Sequence, residues 1–245
     1  MNRLQRLTLN GFKSIKAMDL ELRPLNILIG ANGAGKSNLI SFFKMLNEMM
    51  AGRFQQYIGM SGRAQSLLHF GPKITLQIAA KLEFEVENGV DTYDLRLFHA
   101  AGDTLIFADE TLSFLSTGRT SPRIDQLGAG HQETKIIAAA EEGKQTARTL
   151  KYLLDRCRVY HFHDTSSTAG VRQSCYVGDN RWLMPDAGNL AALLLKFREE
   201  NRGIFIYLDR CDGYRSAHSR LYPNKSPVFR KIASSNGSVC WWNCR

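Results

Sequence analysis

The segment Gly30-Ala31-Asn32-Gly33-Ala34-Gly35-Lys36-Ser37 constrains this chain more than any other. It has the form G-x-x-x-x-G-K-[ST], in which a glycine-rich turn joins a strand to a helix and cradles phosphate groups. The flanks have the composition such a turn needs. Upstream, Leu25-Asn26-Ile27-Leu28-Ile29 is a short apolar, β-leaning run that predicts a buried strand. Downstream, Leu39, Ile40, Phe42, Phe43, Met45, Leu46, Met49 and Met50 recur at helical spacing, with a stop at Ala51-Gly52. Gly30, Gly33 and Gly35 permit backbone angles and close approaches that a Cβ would block. Backbone N–H groups and the positive end of the following helix then favour an anion. Lys36 is placed to neutralise β- and γ-phosphate charge, and the Ser37 hydroxyl to ligate Mg²⁺.

The surroundings narrow this further. The chain opens Leu4-Gln5-Arg6-Leu7-Thr8-Leu9-Asn10-Gly11-Phe12-Lys13-Ser14-Ile15 and reaches the loop through Asp19-Leu20-Glu21-Leu22. That opening, followed by Leu25 to Gly30 and by Asn32-Gly33, Gly35-Lys36-Ser37 and Asn38-Leu39, resembles the RecF/RecN/SMC-type ATPases. More narrowly it resembles bacterial predicted AAA-type ATPases that share this ABC-like head. Leu153 to Ser166 and Asp186 to Leu194 resemble the same group, so the likeness runs from Met1 to about Asn201. It implies an α/β P-loop NTPase head, with a central partly parallel sheet, an antiparallel β-meander and a helical region. It also implies ATP with Mg²⁺, held by Gly30, Ala31, Asn32, Gly33, Ala34, Gly35, Lys36, Ser37 and Asn38 with Ser37 on the metal. Heads of this kind pair as homodimers around ATP and often serve DNA maintenance or phage defence; DNA as a partner rests on that analogy alone.

Ile74, Leu76, Ile78, Ala80, Leu82, Phe84 and Val86 alternate with mostly polar neighbours, which predicts a long strand with one wet face. Asn88-Gly89 supplies a turn, Thr92 to His99 returns, and Thr104 to Leu115 continues, giving a meander over about 74–115. Within it, Leu105-Ile106-Phe107-Ala108-Asp109-Glu110 imitates the strand that positions Mg²⁺ and a hydrolytic water, with Glu110 as the candidate acid. The alternating neighbours favour a wet hairpin instead, and no Ser-Gly-Gly-type signature helix precedes it. Ser116 to His131, rich in Ser, Thr, Gly, Arg and Pro, reads as an exposed loop carrying Arg119 and Arg123.

A helical region follows over about 132–202, with Ala147, Leu150, Leu153 and Leu154 on one face. Arg158 to Phe162 reads as a strand, and at its end His163 and Asp164 are candidates for sensing a γ-phosphate.

From Gly203 the pattern changes. No Leu-Ser-x-Gly signature follows, and Ile204-Phe205-Ile206-Tyr207-Leu208-Asp209 ends on Arg210, which cannot act as the water-activating base. The stretch 203–245 contributes +5 of the formal +9 charge, so the basic balance of the rest is ordinary. The head is expected to be incomplete at its C-terminus, with 203–245 an atypical basic tail. Hydrolysis is therefore expected of the family and doubtful for this chain, and a non-hydrolysing nucleotide-binding remnant is the alternative. A P-loop GTPase or kinase is a further alternative, but Asn224-Lys225-Ser226-Pro227 misses the guanine-reading Asn-Lys-x-Asp at its last position. Five cysteines without tidy spacing argue against a disulfide scaffold or zinc site, and apolar stretches stop far short of a membrane span. Cytoplasm is the expected compartment.

Overall fold

Two-residue alternation dominates the first half of the chain, and it folds as one sheet. The computed structural model describes residues 2–31, 33–160, 166 and 168–200. These fall into two units, one up to Val159 and one from Tyr160. In the first unit, strands β1 (Arg3–Phe12), β2 (Ile15–Glu21), β3 (Gln77–Val86), β4 (Gly89–Ala100), β5 (Thr104–Ser116) and β6 (Arg123–Gly128) form a six-stranded sheet. Its order is β2-β1-β3-β4-β5-β6, and every neighbouring pair is antiparallel.

Register puts the apolar residues on a single face. Leu7 pairs with Leu82, Leu82 with Tyr93, and Tyr93 with Leu112, so one rung of fully buried side chains crosses four strands. Helices α1 (Lys36–Met50), α2 (Phe54–Met60), α3 (Arg63–Leu67), α4 (Ile136–Glu141) and α5 (Gln145–Asp155) supply the rest of this core. Helix α1 buries Leu39, Phe42, Phe43, Met45, Leu46, Met49 and Met50, the face its periodicity predicts. It ends as expected: Gly52 adopts φ 67° and donates its N–H to the Met49 carbonyl. Helix α5 buries Ala147, Leu150, Leu153 and Leu154.

The meander extends beyond its predicted range. Strand β6 lies within the stretch read as a loop, and it pairs with β5 from Phe114–Arg123 to Glu110–Gly128. At the other end, Ile74 and Leu76 are exposed and precede the ladder, which begins at Gln77. The β3–β4 turn requires its glycine: Gly89 has φ 154°, and a Cβ there would lie 2.0 Å from the Leu115 carbonyl oxygen.

The α/β class with its meander and helices is what the structure has, but among the described residues the sheet is wholly antiparallel, where a partly parallel one was expected. The strand predicted over Leu25–Ile29 does not form there. That stretch runs without regular structure, and Leu25, Ile27, Leu28 and Ile29 are 55%, 71%, 39% and 90% exposed. A strand needs a neighbour to satisfy its N–H and C=O groups, and the ladder of β2, the edge strand, ends at Glu21. Asn26 instead folds the chain locally, accepting the Arg23 N–H and donating to the Arg23 carbonyl. Arg158, Val159 and Tyr160 likewise lack strand geometry, while 161–165, with His163 and Asp164, and the tail 203–245 lie outside the described residues.

In the second unit, Asn189 organises the approach to helix α6 (Leu190–Glu200). Its buried amide donates to the Asp179 and Trp182 carbonyls at 2.6 Å each and accepts the Met184 N–H at 2.8 Å. Among the described residues, no helix is long and apolar enough to cross a membrane.

Candidate phosphate-binding site

The glycine-rich turn leads straight into α1. Gly33 and Gly35 have φ 85° and 90°, left-handed angles that flank Ala34, and the Ala34 N–H closes a turn onto the Ala31 carbonyl at 3.2 Å. Alternating handedness of this kind turns successive N–H groups toward a common concavity. Gly35 is also close to its neighbours, since a Cβ there would meet Ser14 Oγ at 3.4 Å. At Gly33 nothing lies within 4 Å, so the backbone angle alone calls for glycine.

Helix α1 starts at Lys36 with no side-chain cap and no acidic residue in its first turn. Its N-terminal amides and dipole are therefore not answered by a carboxylate of the helix's own first turn. Lys36 folds back over the loop, donating from Nζ to the carbonyls of Gly30 at 2.6 Å and Ala31 at 2.8 Å. Ser37 is exposed beside it. Asn38 reaches away from the loop and donates to Ser14 Oγ at 2.6 Å, which fastens the β1–β2 turn to the first turn of α1. Asn32 lies outside the described residues. Ser14 is the addition that reading the loop motif alone missed. Its position in Asn10-Gly11-Phe12-Lys13-Ser14-Ile15 was the only available signal.

Glu110 sits elsewhere in the fold, in the middle of β5. A bulge opposite Arg96 and Leu97 inserts Ala108 and switches the strand's facing, so Phe107 and Glu110 both point into the core. Glu110 is fully buried, and four donors converge on it. The Tyr93 hydroxyl donates to Oε1 at 2.7 Å, joined there by the Thr134 hydroxyl. His131 Nε2, at 2.8 Å, and the Lys135 N–H, at 2.9 Å, reach Oε2. The His131 ring stacks on Phe107 at 4.7 Å between centroids, while its backbone carbonyl accepts the Phe107 N–H. Burial and the negative charge of Glu110 push the Tyr93 hydroxyl well above its ordinary pKa, so Tyr93 stays a donor. Asp109, by contrast, faces outward beside Arg96 at 3.6 Å.

Arg123, read as an exposed loop arginine, is a strand residue that donates to Thr146 Oγ1 of α5 at 2.9 Å and lies 3.5 Å from Asp125 Oδ2. Among the described residues, no group of three or more His, Cys, Asp or Glu side chains is placed to hold a metal ion.

Residues 25–142, just under half of the chain, match the model of a family described as "AAA domain, putative AbiEii toxin, Type IV TA system". The segment holding the glycine loop, α1 and strands β3 to β6 is thus similar to an AAA domain. A solved structure of the recombination mediator protein RecF with ATP is similar to 86% of this chain, at 13% identity and a TM-score of 0.28. The chain spans 47% of that protein's length. No protein of curated function matches.

Proposed function

We propose that the chain binds Mg–ATP at the loop Gly30 to Asn38. The observation that carries this reading is the pair of left-handed glycines, Gly33 and Gly35, set directly before an α1 N-terminus that has no side-chain cap. That backbone is shaped for an anion. Lys36 Nζ lies across the loop on the Gly30 and Ala31 carbonyls, and exchanging them for phosphate oxygens keeps the ammonium hydrogen-bonded. The exposed Ser37 hydroxyl is the protein's ligand for Mg²⁺, which would compensate phosphate charge. The Ser14–Asn38 bond holds the helix start against the β1–β2 turn, limiting its freedom before a ligand arrives.

On this reading Glu110 joins sheet to helix and does not activate water. A carboxylate holding four donors in a closed core has no lone pair aimed at solvent. The chain is accordingly read as an ATP-holding part of a head, with turnover dependent on groups outside the described residues. The test is calorimetric titration of Mg–ATP into wild type and Lys36→Ala, with far-UV circular dichroism on both. Binding lost with an unchanged spectrum supports the site, and equal affinity refutes it.

A further inference from the structure

Beside the β1–β2 turn, on the flank formed by α2, α3 and the segment after α3, lies an open groove of about 730 Å³. Lys13, Ser61, Gln65, Ser66, Phe70 and Lys73 are among its lining residues, and none of the lining residues is acidic. Phe70 is 75% exposed, although it is a large aromatic. It also holds φ 55°, a left-handed angle that bulky residues rarely adopt.

That conformation is fixed from several sides. Phe12 and Leu68 form an isolated bridge, the Lys13 N–H donates to the Leu67 carbonyl, and the His69 N–H donates to the Gly11 carbonyl. His69 Nδ1 meets the Lys13 carbonyl oxygen at 2.7 Å, and its ring packs edge-on to Phe70 at 4.4 Å. An exposed ring held so firmly is a platform, since backbone strain persists only where the surroundings over-determine it.

The charged residues that line the groove, Lys13 and Lys73, have one sign. Among the described residues, Lys13, Lys44 and Lys73 form no ion pair. Asp103, the acid beside α3, does not line the groove and is engaged through Oδ1, which accepts the Gln65 N–H and meets His99 Nε2. Burial, and after it the charge of Lys44, push Lys13 below the ordinary lysine value. A ligand phosphate would relieve that repulsion.

We infer that this groove binds single-stranded nucleic acid, with a base stacked on Phe70 and backbone phosphates on Lys13 and Lys73. A ring flanked by two lysines that form no ion pair, with Lys13 Nζ 5.7 Å from the Phe12 ring, over a polar floor of Ser61, Gln65 and Ser66, is an arrangement that takes bases and phosphates together. An acidic peptide would use the cations and leave the ring without a role. The inference does not depend on the triphosphate reading, because no residue of the loop lines the groove.

The test is fluorescence anisotropy of labelled dT20 and rU20 without nucleotide, over a salt series, with polyglutamate as competitor. Phe70→Ala should weaken oligonucleotide binding about tenfold, and Phe70→Trp should restore it. Replacing Lys13 and Lys73 with Gln should flatten the salt dependence by about 0.7 in log–log slope per lysine. Both substitutions at Phe70 are at an exposed side chain, and Lys73→Gln alone, also exposed, gives a second reading that leaves the strained position intact. Equal affinity for wild type and Phe70→Ala, unchanged salt slopes, or displacement by polyglutamate as readily as by unlabelled oligonucleotide would each overturn the inference.

Discussion

Replacing Glu110 with Ala should destabilise the fold heavily, and the structure allows the size to be worked out. The substitution removes the acceptor of four hydrogen bonds in a site with no solvent access. Left behind are the Tyr93 and Thr134 hydroxyls, His131 Nε2 and the Lys135 N–H. Some recover: the Tyr93 and Thr134 hydroxyls lie 3.5 Å apart, so one can donate to the other. The Lys135 N–H and His131 have no such alternative among the bonds described. An unsatisfied buried donor costs about 1–3 kcal/mol, and breaking a buried charged pair about 3–5 kcal/mol. A loss of about 4 kcal/mol is therefore expected, against a total of about 5–15 kcal/mol for a typical domain. For a chain of this size that corresponds to a melting point lower by roughly 8–16 °C. Urea unfolding followed by circular dichroism gives the free energy, and differential scanning calorimetry the melting point. Glu110→Gln should recover part of the loss, because the amide oxygen still accepts from Tyr93 and Thr134. A Glu110→Ala protein within about 1 kcal/mol of wild type would refute the joint described here. So would a Glu110→Gln protein of wild-type stability that loses ATP turnover, which would make the residue catalytic.

Asp91 gives a pH-dependent counterpart. Burial raises its carboxyl from 3.8 to about 6, opposed in part by Arg123. The folded state thus keeps the proton that the unfolded chain releases first, so stability from this group is full below pH 4 and falls as pH rises toward 6. The difference amounts to about 3 kcal/mol above pH 6, and the gap between wild type and Asp91→Asn in unfolding free energy, read from urea melts, should change by about that much from pH 4 to 7.5; a gap constant with pH would contradict it. Gly89→Ala forces a Cβ to within 2.0 Å of the Leu115 carbonyl oxygen, whereas Gly102→Ala, at φ 82°, meets nothing within 4 Å. The first should cost at least about 3 kcal/mol and the second about 1 kcal/mol, read as unfolding free energies, and equal costs would show that the hairpin is not packed as described.

Some of this architecture was written plainly in the sequence, and some was hidden for physical reasons. Helix α1 and the strands β3 to β5 were legible because each buries one face, and burial imposes the 3.6- or 2-residue period. Strand β6 was not, because its pattern is inverted: Ile124 is 57% exposed while Asp125 Oδ2 is buried. Apolar content alone suggested a strand at Leu25–Ile29, yet β-propensity supplies no ladder partner, and that segment stands exposed. The glycine loop was legible as a motif because its backbone angles demand particular residues. The role of Glu110 was not, since strict alternation through Leu105 and Phe107 would turn Asp109 inward. Only the bulge at Ala108 brings Glu110 into the core, and the His131, Thr134 and Lys135 donors come from more than twenty positions along the chain.

On the function proposed above, the loop from Gly30 to Asn38 holds Mg–ATP. Its most direct test is isothermal titration of Mg–ATP into wild type beside Lys36→Ala, each shown by circular dichroism to be folded. Saturable binding to wild type and none to the variant is expected, because on this proposal the Lys36 ammonium, now on the Gly30 and Ala31 carbonyls, would answer the phosphates. Wild type that fails to bind, or a variant that binds equally well, would contradict it.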